Sequence, residues 1–239
     1  VSEQRTALVT GANKGIGYEV AAGLGRRGFS VGVGARDAAR REEAVGKLRA
    51  EGLDVFGVPL DVTSGDSVRD AVELLAARGG LHVLVNNAGI TGGPPALPSE
   101  LEVDRLRSAV ETNVLGVVRV TNAFLPQLRA AASPRIVCTS SRLGSFAYQA
   151  ENPDPPVFWA TYTPTKAFLN AVVVQYAQEL RGTGILVNAA CPGYTATDLN
   201  DFAGHRTPAQ GAEVVVRLAT LPDDGPTGGF FAEEGELPW

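Results

Sequence analysis

At 239 residues, 44% of them hydrophobic, the chain can bury one large core, and its formal charge of −5 leaves no cationic surplus with which to track a phosphate backbone, which excludes nucleic acid as a partner. No apolar run approaches the roughly 18 residues of a membrane span, and Val1-Ser2-Glu3-Gln4-Arg5 carries no apolar targeting core, so no membrane association is expected and the predicted location is cytoplasmic. Glycine and proline are spread through short connections, without repeat or linker, so residues 1–239 are expected to form a single domain.

Thr6 to Thr10 is a short apolar run, and Tyr18 to Arg27 reads as a helix stopped by Gly28. Between them lies Thr10-Gly11-Ala12-Asn13-Lys14-Gly15-Ile16-Gly17. Gly11, Gly15 and Gly17 stand where a backbone must turn sharply, approach a ligand and let a helix pack on a strand; the amides of Asn13 to Gly17 then face an anion at the helix start. The context, after a strand and opening a helix, is the one a dinucleotide-binding turn requires.

Phe29 to Ala35 is the second predicted strand, with Arg36 at its carboxyl end, 19 residues beyond Gly17. An acidic residue near this spacing binds the ribose hydroxyl of NAD, whereas an arginine accepts a 2′-phosphate. Arg36, with Lys14 as a second cation, therefore predicts NADP(H); a solvated strand end is the plainer reading of Arg36. Asp37 is the expected N-cap of a helix over Ala38 to Ala50. Leu53 to Leu60 is the third strand, followed by Asp61-Val62; Asp61 is either an adenine ligand or a turn residue. Thr63-Ser64 caps a helix to about Arg78, and Leu81 to Val85 is the fourth strand. Asn87, Ala88 and Gly89 after it are turn residues small enough to leave room for a cofactor ribose.

Ser99 to Glu102 resembles a capping box opening a long helical region to about Ala131, with Asn113 inside it among valines and leucines. Asn is a poor interior helix residue; an exposed polar face is its plainer reading, while the flanking Val114, Leu115, Val117 and Val118 point to a buried, bonded side chain with a local kink at Gly116. Arg135 to Thr139 is the fifth strand, ending in Ser140-Ser141-Arg142-Leu143-Gly144, and Ala150 to Trp159 reads as an ordered, proline-rich loop near a site. Thr163-Pro164 suits N-cap and N1 of a helix to Arg181, which places Tyr162 one residue ahead of it. Yet Tyr162 and Lys166 are four apart, the spacing at which helical side chains touch. There an ammonium favours the phenolate of a group whose unperturbed pKa is about 10. A solvated surface pair is the plainer reading of that spacing alone.

Ile185 to Ala190 is the sixth strand; Cys191-Pro192-Gly193-Tyr194-Thr195-Ala196-Thr197 follows as a rigid turn, Thr207-Pro208 starts a helix, and Gly229 to Ala232 is a last short strand. The alternation predicts an α/β, single-domain Rossmann-type doubly wound parallel sheet of about seven strands with helices on both faces. Cys138 and Cys191 have no paired spacing and are expected to be buried thiols; His82 and His205 are isolated, so no metal is expected. Only three lysines occur, and two lie in the motifs above.

Five motifs in order, Thr10-Gly11-x-x-x-Gly15-Ile16-Gly17, Asn86-Asn87-Ala88-Gly89, Ser141 with Gly144, Tyr162-x-x-x-Lys166 and Pro192-Gly193, resemble the short-chain dehydrogenase/reductase family over essentially the whole chain. The Asn13-Lys14-Gly15-Ile16-Gly17 turn and the tail Asp224 to Phe231 are most similar to its NADPH-dependent carbonyl reductase branch. The resemblance implies that Tyr162 is the general acid for a carbonyl oxygen, that Lys166 binds the nicotinamide ribose and lowers the phenol pKa, and that Ser141 donates to the substrate oxygen. It implies that Asn113 anchors a water relaying protons to Lys166. Arg36 and Lys14 would hold the 2′-phosphate, Asp61 and Val62 the adenine, Asn87 the adjoining ribose, and Pro192, Gly193, Thr195 and Thr197 the nicotinamide end. Ser141 is preferred to Ser140 because the family places a glycine three residues on. The implied substrate is a small carbonyl compound or alcohol. A non-catalytic NADP-binding sensor and an oxidative alcohol dehydrogenase are the alternatives. Tyr162 lies 21 positions after Ser141, intermediate between the usual interval and the larger insertion of monomeric carbonyl reductases, which leaves homo-oligomer and monomer both open. Phe146, Tyr148, Phe158, Trp159, Tyr194 and Phe202 are candidate walls of an apolar cleft.

Overall fold

Leu8, Leu84 and Ile136 pack into one apolar layer while their chain neighbours Ala7, Val9, Val83, Val85 and Val137 pack into another. Successive strand side chains point to opposite faces, so strands apolar at every position must be covered on both sides. The chain meets that demand with one central sheet and helices on either face. The structure, a computed structural model, describes residues 4–239; residues 1–3, part of the N-terminal stretch read above for targeting signals, lie outside the described residues.

In chain order the elements are β1 (Thr6–Thr10), α1 (Gly15–Gly25), β2 (Ser30–Ala35), α2 (Ala38–Ala50), β3 (Val55–Pro59), α3 (Gly65–Ala76) and β4 (Val83–Asn86). There follow α4 (Val103–Val110), a π-helical turn (Glu111–Leu115), α5 (Gly116–Ala130), β5 (Arg135–Thr139), α6 (Phe146–Glu151) and α7 (Tyr162–Glu179). The chain closes with β6 (Leu186–Ala190), α8 (Pro208–Ala219), β7 (Phe230–Ala232) and β8 (Gly235–Leu237). Sheet order is β3-β2-β1-β4-β5-β6-β7-β8. The strands run parallel through β7, and β8 returns antiparallel on the edge. One core layer holds α3, α5 and α7 residues, including Leu75, Phe124 and Val173; the other holds Leu24, Leu48 and Val215 from α1, α2 and α8. Each such fully buried Leu or Phe contributes about 1.5–3 kcal/mol of apolar burial.

The sheet has eight strands because β8, three residues long, carries too short an alternation to read from sequence. Helix α1 opens at Gly15, not Tyr18, since glycines that are poor helix formers are here recruited by packing. The expected caps Asp37, Ser64 and Thr207 each accept the anticipated backbone N–H. Ser99-Glu102 forms no capping box: Pro98–Glu100 is a 3₁₀ turn, and Glu102 sits at the N-cap of α4 without a side-chain cap bond, paired instead with Arg105. The kink expected at Gly116 is a π turn over Glu111–Leu115, which inserts one residue into the helix and places Asn113 in the core. The region before Tyr162 also holds α6, and its remainder docks by an Ala96–Trp159 bridge onto the loop after β4. Among the described residues no helix is long and apolar enough to cross a membrane, and no cluster of His, Cys, Asp and Glu could hold a metal ion.

Candidate active site

Strand order reverses between β1 and β4, so their carboxyl ends open the crevice in which open α/β sheets bind ligands. The turn after β1 and the turn after β4 are laced together there. Thr10 Oγ1 accepts from the amides of Asn87 and Ala88, both at 2.9 Å, and Asn87 Nδ2 donates to Thr10 O at 3.0 Å and Gly11 O at 3.3 Å. Gly17 is required by that lacing, since a Cβ would fall 2.5 Å from both Asn87 Nδ2 and Gly11 O. Gly15 faces Thr197 of the loop after β6, so both turns and that loop border one space. Helix α1 begins without a side-chain cap, which leaves its first amides to serve an anion. A glycine turn and an uncapped helix start of this form fit a dinucleotide pyrophosphate.

At the other end of the crevice Arg36 is exposed beyond β2. Asp61 makes turn contacts: its Oδ1 accepts from Thr63 N at 2.9 Å and Thr63 Oγ1 at 2.7 Å. Those bonds hold its carboxyl below the usual carboxylate range, with Arg36 and Arg119 adding smaller contributions. Val62 is buried against Gly116, and its carbonyl accepts from Arg119 at 2.6 Å. Lys14 pairs with Asp198, at 3.1 Å, a partner the sequence offered no means of finding. The loop from Pro192 to Thr197 is folded on itself, Thr195 Oγ1 donating to Pro192 O and Gly193 O, both at 3.3 Å.

The predicted acid–base pair is carried on α7. The helix starts at Tyr162, so Tyr162 and Lys166 do share a helical face, and Pro164 falls in the first turn where its missing N–H costs no intrahelical bond. Lys166 Nζ lies 5.4 Å from the Tyr162 ring centroid and donates to Thr139 O at the end of β5, at 2.8 Å. Asn113 is fully buried, and its side chain is committed: Nδ2 donates to Ile90 O at 2.8 Å and Thr165 Oγ1 at 3.0 Å, while Oδ1 accepts from Ile90 N at 2.8 Å. It therefore ties the loop after β4 to α7.

The two serines separate clearly. Ser140 is buried and donates to Asn170 Oδ1, at 2.5 Å, whereas Ser141 Oγ accepts from Leu143 N at 3.2 Å and keeps its own proton to donate. Gly144 lets this turn lie directly on α7, for a Cβ there would come 2.6 Å from the carbonyl carbon of Lys166.

Burial decides the electrostatics. It pulls the Lys166 ammonium from its ordinary 10.5 to about 8 and pushes the Tyr162 phenol up, with Cys191 adding to the rise. In the chain itself the phenol thus keeps its proton, opposite in direction to the lowering expected from a neighbouring lysine, because burial disfavours the charged phenolate. Cys138, a free buried thiol, rises to about 12 for the same reason.

Residues 5–207 match the family described as short chain dehydrogenase. The chain belongs to that family. This short-chain dehydrogenase is 33% identical to the NADPH carbonyl reductase 1 of Sus scrofa, over 100% of its own length and 95% of the relative's. Its fold superposes on salutaridine reductase from Papaver somniferum with a TM-score of 0.86 and 30% identity, covering 96% of this chain and 100% of the other. It also matches a short chain dehydrogenase from Burkholderia cenocepacia, solved in complex with NADP, with a TM-score of 0.82 and 28% identity over 95% of each chain. Membership makes the chain an oxidoreductase that uses a nicotinamide cofactor.

Beside the site, a surface cavity of about 500 Å³ is lined by Ile90 to Gly93 together with Asp104, Arg105 and Ser108. Of the aromatic candidates, Phe146 and Phe202 are the most exposed, at 72% and 64%, and Phe202 has a left-handed backbone. Thr139, Thr165, Ile90, Asn170 and Asp198 were not legible as site residues. Each contributes through a carbonyl, an amide or a long-range partner, and local sequence pattern carries no sign of such contacts.

Proposed function

We propose that this short-chain dehydrogenase reduces ketones or aldehydes with NADPH, Tyr162 serving as general acid. The observation that carries the reading is the arrangement on α7: a protonated phenol and a buried amine on one face, the amine anchored to the end of β5 and the helix tied by Asn113 to the loop after β4. When bound, the nicotinamide supplies hydride to the carbonyl carbon. Tyr162 gives its proton to the carbonyl oxygen. Ser141 donates to the same oxygen and stabilises its growing charge. Lys166 holds the ribose; Asn113, its side chain spent on Ile90 and Thr165, acts on proton resupply by positioning the loop after β4 against α7. Gly11 to Gly17 cradle the pyrophosphate, Asn87 to Gly89 and Asp61 with Val62 flank the adenosine, and Pro192 to Thr197 border the nicotinamide. Residues 1–239 then work as one dinucleotide-binding and catalytic unit, and the free buried thiols suit a cytoplasmic location.

The direct test mixes the protein with NADPH and a panel of ketones and aldehydes and follows NADPH absorbance. Oxidation dependent on the carbonyl compound is expected; tight NADPH binding with no turnover on any of them would support the sensor alternative. Cofactor choice has its own check. Arg36→Asp replaces an attraction to the 2′-phosphate with a repulsion, and is expected to weaken NADPH about 100-fold while changing NADH little. Equal losses for the two cofactors would remove the 2′-phosphate argument. Asp198→Asn frees Lys14 from its ion pair and is expected to tighten NADPH about threefold, the scale of an exposed pair. Titration showing weaker binding in that variant would mean that Lys14 does not serve the phosphate.

A further inference from the structure

The turn between β7 and β8 presents two adjacent carboxylates, Glu233 and Glu234, and each reaches a different loop of the site. Glu234 pairs with Arg142, the residue after Ser141. Glu233 pairs with Arg206, whose side chain packs across Gly193, so closely that a Cβ on Gly193 would stand 2.7 Å from Arg206 Cδ. The Arg206 backbone also accepts from Ala196 N at 2.8 Å and donates to Tyr194 O at 3.2 Å. The turn is itself held from α8, where Arg217 Nη2 donates to Ala232 O at 2.6 Å. The two loops meet as well, through Arg142 N donating to Cys191 Sγ at 3.3 Å. The Arg206 guanidinium is held by Glu233 and by Gln210 O, to which Nη2 donates at 3.1 Å, while its Nε is buried with no hydrogen-bond partner.

We propose that Glu233 and Glu234 are positioning residues that set two active-site loops independently, Glu234 through Arg142 for Ser141, and Glu233 through Arg206 for the Pro192 to Thr197 segment. The functional consequence rests on the roles given to those loops above; the mechanical one does not. Both carboxylates are more than half exposed, at 55% and 56%, so their pairs add little to global stability and act on local geometry. Small displacements of a positioned group are enough to matter to rate.

The test uses the full chain carrying Glu234→Ala or Glu233→Ala, read by amide hydrogen exchange, NADPH titration and kcat. Glu234→Ala is expected to speed exchange over residues 142–145, lower kcat about tenfold and leave the NADPH Kd unchanged. Glu233→Ala is expected to speed exchange over 193–206 and weaken NADPH about tenfold, with the first loop unaffected. The swapped pair Arg142→Glu with Glu234→Arg should recover kcat. Unchanged exchange in both loops, or either variant loosening both loops alike, would overturn the brace. A wild-type chain that binds no NADPH but shows loop-specific exchange would leave the brace standing and remove the functional reading instead.

Discussion

Tyr162→Phe is expected to lower kcat for carbonyl reduction about 1,000-fold while leaving NADPH affinity within a factor of about two. The substitution removes one oxygen and keeps the ring, so the packing at the start of α7 is retained. What is lost is the proton that must reach the carbonyl oxygen as hydride arrives. Desolvation holds that proton on the phenol at neutral pH, and so the acid is loaded before the reaction begins. Ser141 and the bound cofactor remain, which leaves a residual rate above that of the uncatalysed reaction. Steady-state kinetics beside a direct NADPH titration separate the two effects. A Phe variant as fast as wild type would falsify the assignment of Tyr162 as acid; loss of NADPH binding instead of rate would make Tyr162 a cofactor ligand only.

Lys166→Met is expected to have two opposite effects, abolishing detectable reduction while raising thermal stability at pH 7. Lys166 is buried with its pKa lowered from 10.5 to about 8. At pH values below about 8 the ammonium is charged in both folded and unfolded chains, and the full cost of burying it is borne by the fold. Between the folded and ordinary values the unfolded chain binds more protons, so this group's contribution to stability rises with pH; above 10.5 the cost is gone. Methionine fills similar volume without a charge. It forfeits the 2.8 Å bond to Thr139 O, worth about 1 kcal/mol, against a burial cost of about 3 kcal/mol, for a net gain of about 2 kcal/mol at pH 7. Melting curves should show a gain that shrinks as pH is raised toward 10. A variant that melts below wild type at pH 7 would show that the amine is structural, held by its partners more strongly than desolvation opposes it. Retained activity would contradict its place at the ribose.

The candidate catalytic pair shows how far reading the residues could go. The four-residue spacing identified Tyr162 and Lys166 as neighbours, because helical periodicity is local. Whether Tyr162 lay inside the helix was not local: Thr163 N donates to Trp159 O at 2.9 Å, and the turn before the tyrosine draws the helix start forward. The serines make the same point. The family's glycine spacing favoured Ser141, but that Ser140 is bonded to Asn170, thirty positions away, could not be read from the chain. Asn113 was recognisable as an anomaly in an apolar helix, but Ile90 and Thr165, the partners that satisfy it, belong to other elements.

The sequence by itself determined the strand and helix alternation, the glycine turn, the cation at the end of the second strand and the order of the five motifs. Apolar periodicity, glycine geometry and capping chemistry act within a few residues of chain and are written there. The tertiary structure alone decided which serine keeps a free proton, that the phenol rises and the amine falls, that Lys14 faces Asp198, and that Glu233 and Glu234 hold two loops. Those outcomes depend on desolvation and on contacts between distant segments, and neither exists until the sheet has closed over both layers of the core.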